Sequence, residues 1–302
     1  MAINSALPNW KDKILFTPGP LTTSRTVKQS LLRDLGSRDY EFNSLVTDIR
    51  KRLLDAGGVA DSGYEAIIMQ GSGTFSMESV ISSTIPADGK FLVIINGAYG
   101  RRVAQIAEAH HIAVVPLIYP ENSKPDLAEI EAALEADDAI TSVAVIHCET
   151  TTGIMNPIKE IGAIVKRFGK DYFVDAMSSF GGVPFNLAEC EIDYMVSSAN
   201  KCIEGIPGFG IILAKRETLL KTEAYARTFS LDLLAQLQRF DIDGQFRFTP
   251  PTHSLLAYHQ ALVELEMEGG VEGRAARYKA NYDTLVAGMR EMGFKEYLAA
   301  ED

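Results

Sequence analysis

From about residue 66 to residue 215 the chain alternates short, nearly unbroken Val/Ile/Leu runs with longer stretches whose apolar residues recur at helical spacing. A strand that is apolar on both faces must be covered on both, and parallel sheets flanked by crossover helices provide that cover. The runs at 66–69, 91–95, 113–118, 142–146, 172–174, 194–197 and 211–215 read as strands. Helices are expected over 101–110, 127–134 and 158–168, and another from the turn at 71–74 to about 85. This order builds an α/β fold around a mostly parallel, doubly wound sheet.

The flanks read differently. Residues 14–24, Ile14-Leu15-Phe16-Thr17-Pro18-Gly19-Pro20-Leu21-Thr22-Thr23-Ser24, form an extended arm, because two prolines around a glycine suit neither helix nor central strand. Ser24 is placed to cap a helix reaching about residue 35, and 45–56 has helical spacing. After Thr249-Pro250-Pro251-Thr252 the spacing is helical over 255–267 and 274–292. The expected division is an arm at 1–24, a large cofactor-binding domain at 25–252, and the start of a smaller domain at 253–302.

A length of 302 residues suits one large α/β domain, or one large and one small. The net charge of -11 argues against nucleic acid or an anionic membrane as partner. No apolar stretch approaches a membrane span. Cys148, Cys190 and Cys202 lack the spacing of a disulfide framework or a zinc site. The start, Met1-Ala2-Ile3-Asn4-Ser5-Ala6, lacks the basic and apolar regions of a secretory signal. A cytoplasmic enzyme is the expectation.

Ligands of an open parallel sheet collect at the carboxyl ends of its strands. The residues expected there are Ser72-Gly73-Thr74, Tyr99, Thr150, Asp175 and Ser198 with Lys201. Gly71-Ser72-Gly73-Thr74 opens a helix directly after a strand, so its free amides and hydroxyls make an anion site. A dinucleotide fingerprint is a rival, but Ser76 takes the third glycine's place and no acid stands near position 93. A plain strand–helix turn explains the motif equally well. Asp175 at the end of a buried strand needs a cationic partner, and a protonated ring nitrogen is one. Taken singly it also reads as a helix N-cap. Tyr99 can stack on a flat ring or simply pack in the core. Thr150 offers a loop hydroxyl. His147, Cys148 and Glu149 have no partners at metal-ligand spacing, and His110 and His111 face different sides of their helix, so no metal is expected.

Lys201 follows the buried run 194–197 and two serines, and precedes Gly205, Pro207, Gly208 and Gly210. Burial at a strand end favours the neutral, nucleophilic amine of a Schiff-base lysine. A surface lysine in a Gly-rich hairpin is the rival reading. Held together, an anion turn, an aromatic, a strand-end carboxylate and a strand-end amine fit pyridoxal 5′-phosphate.

Several stretches carry a family resemblance. They are Leu15-Phe16-Thr17-Pro18-Gly19-Pro20-Leu21-Thr22-Thr23-Ser24, Met69-Gln70-Gly71-Ser72-Gly73-Thr74, Cys148-Glu149-Thr150-Thr151-Thr152-Gly153, Val174-Asp175-Ala176-Met177-Ser178-Ser179 and Ser197-Ser198-Ala199-Asn200-Lys201-Cys202. The chain resembles the class-V branch of the fold-type I aminotransferases from the arm to at least Tyr282. The resemblance implies that Lys201 carries pyridoxal 5′-phosphate and that Asp175 pairs with the ring nitrogen. It implies phosphate contacts from Ser72, Gly73, Thr74 and Ser198, stacking by Tyr99, and cofactor contacts from Thr150 and Met177. It also implies a homodimer in which Thr249 reaches the neighbouring copy's phosphate. The implied reaction moves an amino group from 2-aminoethylphosphonate to pyruvate. Alternatives are alanine–glyoxylate-type transfer, a catalytically impaired binding protein and a nicotinamide-dependent dehydrogenase.

Family members of this type run about sixty residues further, completing an α+β small domain that supplies an arginine to the substrate's acidic group. The small domain is therefore expected to be truncated. Leu262, Leu265, Leu285 and Met289 should then face solvent, with weak cofactor binding and poor turnover.

Overall fold

The computed structural model describes residues 12–299. The expectation of no secretory signal at Met1–Ala6 lies outside the described residues, as do the first part of the arm and positions 300–302. The elements are α1 (Arg25–Ser30), α2 (Tyr40–Ala56), β1 (Tyr64–Gly71), α3 (Gly73–Thr84), β2 (Lys90–Ile95), α4 (Ala98–Ala109), β3 (Ala113–Ile118), α5 (Leu127–Ala136), β4 (Ile140–Ile146) and α6 (Ile158–Arg167). They continue with β5 (Asp171–Asp175), β6 (Tyr194–Ser198), β7 (Gly208–Lys215), α7 (Arg216–Leu219), α8 (Leu233–Asp243), α9 (Thr252–Met267) and α10 (Gly270–Glu291).

Among the described residues one seven-stranded sheet forms, in the order β1-β7-β6-β5-β4-β2-β3. The pairs β2–β3, β2–β4, β4–β5 and β5–β6 are parallel. β7 runs antiparallel to both β6 and β1. The link 199–207 is too short for a crossover helix, so β7 must return beside β6 in the opposite sense. β1 therefore points the same way as the five parallel strands, and six carboxyl ends share one edge. After β2 the chain moves outward to β3, and after β4 it moves the other way to β5. That reversal is the topological switch point of an open α/β sheet.

The strands lie where the Val/Ile runs put them, and the central ones are almost fully buried. The helix boundaries moved more. α1 begins on the Ser24 cap, whose Oγ accepts the Val27 N–H at 3.0 Å, but it stops at Ser30 rather than near 35. The turn that follows is tied by the Gly36 N–H to Asp39 Oδ2 at 2.8 Å, and α2 starts at Tyr40 rather than 45. α7 and α8 occupy a stretch with no expected element. α8 carries ordinary signals all the same: an Asp232 cap, buried Leu233, Leu237 and Phe240, and Gly244 at φ 73° closing it. α4 ends at Ala109, so His110 and His111 lie beyond the helix, and His110 instead meets Glu78 at 2.9 Å.

α9 lies against α1 and α2 and joins the main core through Leu255, Tyr258, Ala261, Leu262 and Leu265. Leu262 and Leu265 are thus buried, contrary to expectation, because α2 covers the face they share. Leu285 on α10 is exposed as expected, and Met289 is half-buried. No helix among the described residues is long and apolar enough to cross a membrane.

Candidate active site

The carboxyl edge of the sheet gathers most of the expected residues. β1 ends at Gly71 opposite Gly208, and Ser198 ends β6 opposite Gly210. Ser72 then turns the chain into α3 without a side-chain cap, which leaves the first amides of the helix directed at the site. Gly73 is fully packed: an added Cβ would come within 2.6 Å of Met177 Sδ and 3.1 Å of Ser198 Cβ. Ser72, Gly73, Thr74, Met177 and Ser198 are therefore neighbours. The Ser198 hydroxyl donates to Asn200 Oδ1 at 2.6 Å, so Asn200 orients it.

Asp175 ends β5 and is buried to 2% exposure. Its Oδ1 accepts the Met177 N–H at 2.9 Å, whereas Oδ2 has no partner. Burial, with a smaller repulsion from Glu149, pushes its pKa up to about 7. A sealed carboxylate with one orphaned oxygen is complementary to a cationic N–H donor.

Tyr99 sits in the first turn of α4, with the Arg102 guanidinium 4.6 Å from its ring centre. Sequence reasoning missed what fixes it. Glu149 is completely buried, and its carboxylate accepts the Gly100 N–H at 2.8 Å and the Tyr99 N–H at 3.3 Å. It caps α4 from another strand end, a tertiary contact with no local spacing to betray it. Next to it, the Thr150 and Ser178 hydroxyls are 2.8 Å apart.

Lys201 lies in the turn after β6 and is half-buried, less sealed than a strand-end position implied. Its Nζ donates to the Pro18 carbonyl at 3.4 Å. The Glu204 N–H closes the turn onto the Lys201 carbonyl at 2.7 Å, with Glu204 at φ 64°. α10 grips this turn from outside. Buried Arg274 donates to the Cys202 carbonyl at 2.5 Å and to Glu268 at 2.6 Å, and Arg277 meets Glu204 at 2.9 Å. Between the arm and α10 opens a cavity of about 630 Å³ lined by Thr150, Ser178, Cys202 and Glu204. Arg274 was expected only as the start of a helix, so its buried role too was not read.

Thr249 lies on a loop beside the β1 end of this cluster. It is exposed, in a loop tied to β1 by Gln70 Nε2 through the Phe248 and Thr249 carbonyls at 2.9 and 3.4 Å. It lines a separate groove of about 660 Å³ with Arg38, Phe229 and Arg247. Among the described residues no His/Cys/Asp/Glu group could hold a metal ion.

The donor set fits pyridoxal 5′-phosphate on structural grounds. An uncapped helix start takes an anion, an orphaned Asp175 oxygen takes a ring N–H, and a lysine amine stands nearby for the aldehyde.

Comparison with known proteins agrees. The aminotransferase class-V family model matches residues 22–301. A 2-aminoethylphosphonate–pyruvate transaminase of Bacillus cytotoxicus is 52% identical over 286 residues, 94% of this chain and 78% of that protein. One from Vibrio vulnificus is 49% identical over 289 residues, covering 95% and 79%. Among solved structures, the pyridoxamine–pyruvate aminotransferase of Mesorhizobium loti superposes with a TM-score of 0.85 at 28% identity, over 95% of this chain and 74% of that one. The alanine–glyoxylate aminotransferase of Nostoc sp. has the same fold, with a TM-score of 0.88 at 24% identity over 98% and 79%.

Proposed function

The chain belongs to the class-V aminotransferase family, and from that premise we propose that it transfers the amino group of 2-aminoethylphosphonate to pyruvate, yielding phosphonoacetaldehyde and L-alanine. Relatives of that name at about half identity over nearly the whole chain support the substrates. The single structural observation that carries the chemistry is Asp175, sealed and with one oxygen orphaned, beside an uncapped helix start and a lysine.

Pyridoxal 5′-phosphate, when bound, supplies an electron sink that acidifies the C–H beside the amino nitrogen. The protein's share is to hold, orient and move protons. The α3 amides at Gly73 and Thr74, with the Ser72, Thr74 and Ser198 hydroxyls, bind phosphate. Tyr99 stacks on the ring, and Thr150 with Ser178 faces its hydroxyl. Met177, packed against Gly73, would lie beside the cofactor. Asp175 keeps the ring nitrogen protonated, which relieves its own buried charge. Lys201 Nζ would hold the cofactor by its aldehyde, and as a free amine it would take and return the substrate proton.

On this reading the large unit spans 25–252 and a smaller one begins at 253, with α9 packed onto the core of the large unit. The enzyme acts in the cytoplasm as a homodimer, with Thr249 reaching the other copy's phosphate. Three free cysteines suit a reducing compartment. A coupled assay for alanine formed from the phosphonate amine and pyruvate tests the substrates, and a donor screen separates them from alanine–glyoxylate transfer. For the cofactor, purified protein should show a visible absorption band that Lys201→Ala abolishes. A band of undiminished strength in the variant overturns the assignment.

A further inference from the structure

The arm is the part of the structure that the reaction outlined above leaves unused, and it lies on the reactive lysine. Three contacts fix it there. The Leu21 N–H donates to the Asn200 carbonyl at 3.4 Å, so the arm is joined to the backbone immediately before Lys201. Lys201 Nζ donates to the Pro18 carbonyl at 3.4 Å. Between these, Gly19 faces the lysine side chain: a Cβ built there would lie 2.5 Å from Cδ, 2.8 Å from Nζ and 2.9 Å from Cε. The arm therefore touches the last three atoms of the side chain and accepts a hydrogen bond from its head.

We propose that Gly19 is a positioning residue, whose bare Cα lets the arm hold the free Lys201 amine on the Pro18 carbonyl, at one fixed place beside the cofactor site. The proposal rests on the assignment of Lys201 as the cofactor lysine. The amine would be freed from the cofactor in one half-reaction and would rejoin it in the other, and in between it must not swing into solvent. A lysine chain has four rotatable bonds, and Lys201 is only half-buried, so the turn alone does not fix its end. The arm does so by contact and by one acceptor. Only glycine serves at position 19, on two grounds. Its φ of 146° is one L side chains rarely adopt, and a Cβ would come within 2.9 Å of Lys201 Cδ, Nζ and Cε.

Gly169 provides the control. It also has a positive φ, 66°, but a Cβ there meets nothing within 4 Å, so Gly169→Ala adds backbone strain without touching the site. Cofactor-free protein would be mixed with pyridoxal 5′-phosphate, quenched with borohydride at intervals, and the adduct located by peptide mass. The pH dependence of the visible band and the melting temperature of the cofactor-free form complete the measurement. Gly19→Ala should capture the cofactor on Lys201 about 10- to 100-fold more slowly, the scale of roughly 1 Å misplacement. Gly19→Val should be slower still, both with a displaced pH midpoint and with melting no lower than Gly169→Ala. Capture at the wild-type rate with an unmoved midpoint in both variants overturns the inference. So does slowing that Gly169→Ala shares. If wild-type protein itself yields no reduced adduct at Lys201, the cofactor assignment fails, and this inference with it.

Discussion

At the residue scale, Asp175 carries the sharpest consequence. Without the cofactor its carboxyl is sealed with one oxygen unpaired, and burial raises its pKa from the ordinary 3.8 to about 7. The folded chain then keeps a proton that the unfolded chain releases. The stability due to this group is full below about pH 4 and is lost as pH rises to about 7. That span corresponds to about 4 kcal/mol. Buried His147, pushed down to about 4, works in the opposite sense, since its contribution is lost as pH falls from 6.5 to 4. Wild type alone therefore shows a mixture, and the difference from Asp175→Asn isolates the carboxyl. In cofactor-free protein the variant should be the more stable, by a margin that grows between pH 4 and 7 and then levels. With cofactor the order should reverse. Urea unfolding across that pH range measures both, and a margin that stays flat with pH would refute the account. The strand-end positions of Asp175 and Lys201 were legible in sequence because each stands at or just past the end of a short apolar run, where the fold places ligands. Glu149, Gly19 and Arg274 were not. Their partners are the α4 amides, the lysine side chain and the Cys202 carbonyl, and those contacts exist only after folding.

At the scale of elements, the placing of α4 fixes Tyr99, the residue proposed above to stack on the cofactor ring. An ordinary helix start is capped by its own sequence, but Gly97 provides no side chain. Glu149 caps the helix from the end of β4, and Gly97 is bare because a Cβ would collide with that carboxylate. Glu149→Ala leaves two amides without their acceptor, at a cost of about 1–3 kcal/mol. Cofactor affinity should fall roughly tenfold as Tyr99 loosens, equivalent to about 1.4 kcal/mol. Gly97→Ala should be damaging in wild type and milder in the Glu149→Ala background, a coupling that a double-mutant cycle reads directly. Additive effects would show that the two positions act separately. The parallel strands and their helices were legible as periodicity. The reversed direction of β7 was not, since it follows from the length of a link rather than from any residue pattern. The α8 signals were present in the sequence, but its apolar stripe reads clearly only once α3 and β1 are seen to cover it.

At the scale of the whole molecule, the groove beside Thr249 sets a test of the proposed dimer. Phe229 is 78% exposed and Phe248 41%, and their ring centres are 5.8 Å apart. Arg247 lies over both of those rings, at 5.2 and 5.1 Å. Gln70 joins this loop to the end of β1, so the patch adjoins the Ser72–Thr74 turn. Burying what remains exposed of each ring stabilises association by a part of the roughly 1.5–3 kcal/mol that full burial of such a side chain is worth. The net charge of -11 repels a second copy, but that repulsion is screened beyond about 8 Å at physiological salt. The groove itself presents Arg38, Arg239 and Arg247 rather than acids. Phe229→Asp should shift sedimentation from dimer to monomer at micromolar concentration. Because Thr249 lies on the same rim, the monomer should also bind cofactor at least about tenfold more weakly, a loss of about 1.4 kcal/mol. A variant that stays dimeric removes this face as the interface. A monomer that holds cofactor as tightly as wild type removes Thr249 of the neighbouring copy from the site.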